Sequence, residues 1–122
     1  MRVMVIVKAT RQSEAGIMPK PDLLERMGKF NEELIKAGVM MDGAGLKPTS
    51  QGRRLKFSVN DSRSVYNGPF GEPKDEVAGF WIWQVASVDE AMEWLKKCPH
   101  PHPGEDCELE VRPLMEEADF VQ

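Results

Sequence analysis

At 122 residues, 41% hydrophobic and 30% charged, the chain has the size and balance expected of a single domain over residues 1–122, not of a disordered segment. A net charge of −4, with only Arg53–Arg54 and Lys96–Lys97 as adjacent cations, speaks against nucleic acid as a partner. Val3–Val7 is too short for a signal sequence, no run is long enough for a membrane span, and two cysteines make no disulfide framework; the expectation is a cytoplasmic protein.

In chain order, Met1–Lys8 alternates Val3, Val5 and Val7 with Met4 and Ile6, which predicts a strand apolar on both faces. Thr10–Pro19 is polar and contains breakers, so it reads as a loop. Pro21 suits the first turn of a helix, and Leu23, Met27, Phe30 and Leu34 follow at helical spacing, with Leu24 and Ile35 widening the stripe. Gly38 ends that helix. Val39–Met41 reads as a short strand stopped by Gly43 and Gly45. Arg53–Asn60 alternates Leu55, Phe57 and Val59 with polar residues, the pattern of a half-exposed strand. Asn60–Val65 is a turn into another short strand, and Asn67-Gly68-Pro69 is turn chemistry.

Gly79–Ala86 is the most apolar strand, with Phe80 and Ile82 on one face and Trp81, Trp83 and Val85 on the other. Ser87 and Glu90 stand at capping-box spacing before a second helix. Its buried stripe is Val88, Ala91, Met92 and Leu95, and Pro99 ends it. After a loop over Pro99–Asp106, Cys107, Leu109 and Val111 alternate with charged residues in a last strand. This order predicts an α+β fold, a ferredoxin-like split βαβ sandwich. Two helices cover one face of such a sheet, yet two strands are apolar on both. A second copy of the chain is the simplest cover, giving a homodimer; loops and the C-terminal tail are the alternative.

Residues 67 to 80 carry a family resemblance. Asn67-Gly68-Pro69-Phe70-Gly71-Glu72-Pro73-Lys74, followed by Gly79-Phe80, resembles the segment that names the YCII-related, or DGPF, family. Phe30-Asn31-Glu32-Glu33-Leu34 with Ala37-Gly38-Val39, Asp89-Glu90-Ala91 with Trp94 and Cys98-Pro99, and Glu110-Val111-Arg112-Pro113 extend the resemblance over nearly the whole chain. The resemblance implies a monomer that pairs into a dimeric α+β barrel. It does not imply one activity. Some members of the wider group look like small-molecule enzymes, among them a dehydrochlorinase of a chlorinated hydroxymuconate, and one branch resembles an enzyme with a His–Asp pair in a cleft. Others are associated with sigma factors. Here the family Asp is Asn67, whose amide orients a ligand or holds a turn but exchanges no proton. No histidine lies in the first half of the chain.

The candidate site residues follow from both readings. Asn67, Gly68, Pro69 and Phe70 form either a structural turn docking Phe70 into the core or a turn that also lines a ligand cleft. Glu72, with Lys74 beside it, is a solvated rim or a polar clamp. Asp42, after an apolar strand and before Gly43, is the candidate catalytic carboxylate, set against an Asx turn. Trp83, with Trp81, reads as core or interface, or as an aromatic wall on which Gln84 orients a flat ligand. Lys8 and Arg112, at strand ends, are solvated or bind an anion.

Cys98, His100, His102 and Cys107 are zinc-preferred residue types, but their spacing matches no zinc pattern, so no metal and no cofactor is expected. Alternating Pro99, Pro101 and Pro103 would throw both imidazoles to one side. The functional expectation is a small-molecule-binding protein, a cofactor-free enzyme acting on a small, anionic, unsaturated organic acid. The alternative is a non-catalytic dimeric module of a sigma-factor system.

Overall fold

The computed structural model describes residues 1–121. Strand β1 (Arg2–Lys8) leads through a short helix α1 (Arg11–Glu14) to the long helix α2 (Pro21–Lys36) and strand β2 (Met40–Gly45). A hairpin of β3 (Arg53–Phe57) and β4 (Arg63–Asn67) precedes β5 (Val77–Gln84), α3 (Val88–Leu95) and β6 (Leu109–Pro113). The main sheet has four antiparallel strands in the order β2-β5-β1-β6, and this interleaving of two β-α-β units is the split arrangement read from the sequence.

Registry decides which residues share a face. Val3, Val5 and Val7 of β1 sit beside Trp83, Trp81 and Gly79 of β5, and beside Pro113, Val111 and Leu109 of β6. Side chains alternate across a strand, so all of these face one side. That side carries the helices. Phe30 and Leu34 of α2 and Ala91 of α3 are buried against Val3, Val5, Trp81 and Trp83. Each fully buried Val, Leu or Phe among them stabilises the fold by about 1.5–3 kcal/mol. Gly38 takes a left-handed φ of 72°, which lets Val39 N–H bond back to the Leu34 carbonyl at 2.9 Å and stops α2.

Several local expectations change. Thr10–Pro19 is not all loop: Thr10 and Ser13 cap each other's backbone at 3.2 and 2.8 Å and start α1. Strand β2 continues through Gly43 to Gly45, because pairing with β5 supplies the hydrogen bonds that glycine does not discourage. Leu24, Ile35 and Met92 lie in solvent, since α2 and α3 bury narrower stripes than their sequences offer. Ser87 does cap α3, accepting from Glu90 N–H at 3.1 Å. The Trp81–Trp83 pair lies in the monomer's core, edge-on to Phe30 at 6.0 and 6.3 Å, and not at an interface.

The opposite sheet face carries Met4, Ile6, Phe80 and Ile82, all half-buried, with Asp42, Glu110 and Arg112 around them. The β3–β4 hairpin pairs only with itself, and its strands are exposed throughout, not half-exposed. It is anchored at its base. Gly68 N–H donates to the Gly52 carbonyl at 3.0 Å, Arg54 reaches the buried Glu76 carboxylate at 2.7 Å, and the same guanidinium lies 3.9 Å over Phe70.

Phe70 packs edge-on to Tyr66 at 5.7 Å, at the hairpin base instead of in the core. A Cβ at Gly68 would lie 1.8 Å from the Thr49 carbonyl oxygen, so only glycine fits the motif's second position. Gly68→Ala is therefore expected to destabilise the protein by about 1–3 kcal/mol in urea denaturation; an unchanged midpoint would contradict this packing.

Candidate active site

At one end of the sheet, three helix-facing positions carry no side chain: Gly43 and Gly45 on β2 and Gly79 on β5. At two of them the space is already taken. A Cβ at Gly43 would stand 2.8 Å from Trp81 Cδ1, and one at Gly79 would stand 2.9 Å from the Ala44 carbonyl oxygen. A Cβ at Gly45 meets nothing within 4 Å. The missing side chains leave a recess of 310 Å³ between the sheet and α2, walled by Val7, Met27, Met40 and Trp81. The Trp81 indole N–H donates to Asn31 Oδ1 at 3.0 Å, which fixes the ring as one wall.

A larger chamber of 880 Å³ adjoins the recess, and Gly45, Ala78, Pro101 and His102 line both. Its walls are the α1–α2 connection, the first turns of α2, the β2–β3 connection and the Pro101–Pro103 segment. Two carboxylates tie these walls together. Glu14 on α1 accepts from the Thr49 N–H at 3.1 Å and from the Thr49 hydroxyl. Glu105 accepts from the Gln12 N–H at 3.2 Å.

His102 stands where the two spaces meet. Its N–H backbone donates to His100 Nδ1 at 3.0 Å, and its carbonyl accepts from Glu105 N–H at 3.1 Å. The ring atom Nε2 is sealed from solvent and has no hydrogen-bond partner among the described residues. Buried polar atoms normally have one; the Trp83 indole nitrogen is likewise buried and unpaired, but only His102 of the two also lines the recess and the chamber. Burial pulls the imidazole below its ordinary pKa of 6.5; Glu105 opposes the shift and His100 adds to it. The ring is thus neutral near pH 7, with one nitrogen free to accept a proton.

The residues singled out from the sequence lie elsewhere and do not converge. Asp42 is exposed on the open sheet face and its carboxylate accepts from the N–H of Gly43 at 2.8 Å, an Asx arrangement. Asn67, Gly68, Pro69 and Phe70 form the base of the hairpin, and Glu72 is exposed beyond it. Trp83 is 0% exposed, which removes it as a wall of an open cleft. Gln84 is exposed at the end of β5. None of these eight, among the described residues, lines the recess or the chamber.

His100 and His102 do not share a side: His100 lines a separate cavity of 270 Å³ with Cys98 and Cys107. Both cysteines are free thiols. Burial, with Cys107 adding, pushes Cys98 up to about 11, so the thiol stays protonated at neutral pH. Among the described residues no three His, Cys, Asp or Glu side chains converge as a metal site.

The sequence did carry a signal for this site. Gly43-Ala44-Gly45 is a strand segment without large side chains on either face, opposite a strand of aromatics, and such a segment leaves the layer above it unfilled. The Pro99–Pro103 run, read as a loop, is one, and it half-buries His102.

Comparison with known proteins places this geometry. A family model described as the YCII-related domain matches residues 1–115. The chain belongs to the YCII-related family. Within the curated relatives, an uncharacterized protein of Rhizobium meliloti (strain 1021) is 29% identical over 92 residues, covering 75% of this chain and 73% of that one. A solved structure of 5-chloro-2-hydroxyhydroquinone dehydrochlorinase (TftG) from Burkholderia phenoliruptrix AC1100, in complex with 2,5-dihydroxybenzoquinone, aligns with a TM-score of 0.54 and 18% identity over 97% of each chain. At that identity the likeness is one of fold. The compound in that enzyme's name is a chlorinated hydroxyhydroquinone, not the hydroxymuconate associated with the resemblance above.

Two measurements test the site. Because the folded His102 has the lower pKa, the unfolded chain takes up this proton first as pH falls. Stability held above the ordinary pKa is then lost as pH drops through it toward the folded value. The wild-type Tm should therefore fall more steeply than that of His102→Asn between about pH 7.5 and pH 5; parallel curves would contradict a buried neutral imidazole. Gly45→Val should fold with unchanged or higher Tm, since its side chain enters open space on a strand, and should fill the recess. A large loss of stability would mean that the recess is not empty as described.

Proposed function

We propose that this YCII-related protein binds a small, unsaturated organic molecule in the cleft at His102, and that His102 acts as its general base. One observation carries the reading: His102 lines both an apolar recess and a larger chamber, and its ring Nε2 has no hydrogen-bond partner among the described residues. Catalytic bases work best when their pKa lies near the operating pH and when they lie within reach of the substrate proton. The recess suits a flat conjugated ring, with the Trp81 indole as a wall. The fold shared with TftG, whose name specifies a chlorinated hydroxyhydroquinone, supports the same substrate class. Proton transfer is then assigned to His102 and not to Asp42, and Asn67 keeps a structural part.

The experiment is to offer 5-chloro-2-hydroxyhydroquinone and measure chloride release, with 2,5-dihydroxybenzoquinone as the binding probe. Wild type should release chloride faster than buffer, and His102→Asn should bind the quinone normally while losing about 10²–10⁴-fold in rate. Equal rates for wild type and His102→Asn would refute the assignment. Quinone binding without any turnover would favour the non-catalytic module instead.

The protein is also proposed to act as a homodimer, its ferredoxin-like sheets pairing face to face as a dimeric α+β barrel. Met4, Ile6, Phe80 and Ile82 form a central apolar strip on the uncovered face, and Leu55, Phe57 and Val65 are exposed on the hairpin. Self-association buries such strips. Ile82→Lys should convert the dimer to a monomer in sedimentation equilibrium; a monomeric wild type, or a variant that stays dimeric, would refute this pairing.

A further inference from the structure

The larger chamber differs in charge from the protein around it. The chain as a whole carries −4, yet the charged side chains lining the chamber are Lys20, Arg26, Lys47 and a single carboxylate, Asp22. Asp22 is engaged by Arg26 at 3.4 Å, one turn further along α2. That leaves Lys20 and Lys47, neither of which has a carboxylate within ion-pair distance among the described residues. They come from different walls, Lys20 from the residue that precedes α2 and Lys47 from the connection after β2.

The surface between the lysines and the recess is apolar. Ile17, Met18 and Leu46 line the chamber while remaining 59%, 77% and 52% exposed. Large apolar side chains exposed together around a concavity mark a surface that an apolar ligand covers. A bare inorganic anion would leave them wet. A neutral ring confined to the recess would leave them wet too, and would leave the lysines unused. The recess and chamber share their boundary at His102 and Gly45, so one molecule can occupy both. Their volumes fall in the usual range for small-ligand sites.

We propose that the substrate is an aryl- or alkenyl-carboxylate in two parts: its flat conjugated end enters the recess beside Trp81, and its carboxylate is held in the larger chamber by Lys20 and Lys47. An apolar spacer lies against Ile17, Met18 and Leu46. This specifies the substrate class for the cleft proposed above and rests on that reading. The lysines act as specificity-determining residues. They bind the end of the substrate remote from the reacting centre, so that its conjugated end is presented to His102 in one orientation. The reversed local charge also draws anions toward the opening against the repulsion of the whole chain.

The test compares 3-(2,5-dihydroxyphenyl)propanoate with its uncharged amide, measured by calorimetry on wild type, Lys20→Ala, Lys47→Ala and the double variant, with 2,5-dihydroxybenzoquinone as the spacer-free control. The propanoate should bind wild type about ten- to a hundredfold tighter than the amide, the usual worth of hydrogen bonds to a charged group. That preference should shrink in each single variant, vanish in the double variant and weaken as salt rises, while amide and quinone affinities stay constant. Equal binding of acid and amide by wild type, or a preference that survives in the double variant, overturns the carboxylate clamp. If only the quinone binds, the clamp falls and the cleft stands. If none of the three binds, both fall together.

Discussion

The aromatic cluster of Phe30, Trp81 and Trp83 sets the spacing on which the remainder of the molecule depends. Trp81 and Trp83 stand 5.6 Å apart on one strand face, and Phe30 meets both from α2. Rings of that size hold the helix well above the sheet. Where β2 then presents Gly45 beyond the Trp81 ring that covers Gly43, no side chain fills the gap, and interiors packed as densely as crystals do not close such a gap by local sagging. The cleft is thus a by-product of core packing: large residues in the centre of the layer and glycines at its end. Trp81 belongs to both. It contributes to the core and, tethered to Asn31, forms the wall of the recess.

The elements around the cleft are fixed by polar contacts rather than by burial. Glu14 joins α1 to the Thr49 turn, Glu105 joins the Pro/His segment to α1, and the Arg54–Glu76 pair holds the hairpin to the start of β5. Of these carboxylates only Glu76 is buried, and its partner guanidinium is shared with the face of Phe70. The Asn-Gly-Pro-Phe motif therefore secures the hairpin's base. Asn67 lies exposed at the end of β4, while the packing at this base is done by Gly68 and Phe70.

Much of this architecture was legible in the sequence. The stripe Leu23, Phe30 and Leu34, the Gly38 stop and the two-faced alternation of β1 and β5 each report a local rule that the tertiary structure obeys. Departures occur where a distant partner overrides the local rule. Gly43 and Gly45 read as breakers because glycine weakens an isolated strand, yet pairing with β5 keeps them extended. The helix that the Thr10–Ser13 cap starts, Arg11–Glu14, has four residues and is too short for periodicity to register.

The site was the least legible part. Spacing along a chain shows which residues share a strand face, but not which face the helices cover, and that choice put Trp83 inside and Asp42 outside. His102 was visible as a residue type but not as a site, because its segment meets a part of the chain far away in sequence: Glu105 accepts from Gln12, 93 residues earlier.

The most direct measurement is a map of amide and indole chemical-shift changes on titration with 2,5-dihydroxybenzoquinone. The account predicts the largest changes at the Trp81 indole N–H, Gly43, Gly45 and His102, surrounding the recess. Changes centred on Asp42, Gln84 and the Asn67–Phe70 turn would contradict it, and would return the site to the open face of the sheet and the hairpin base.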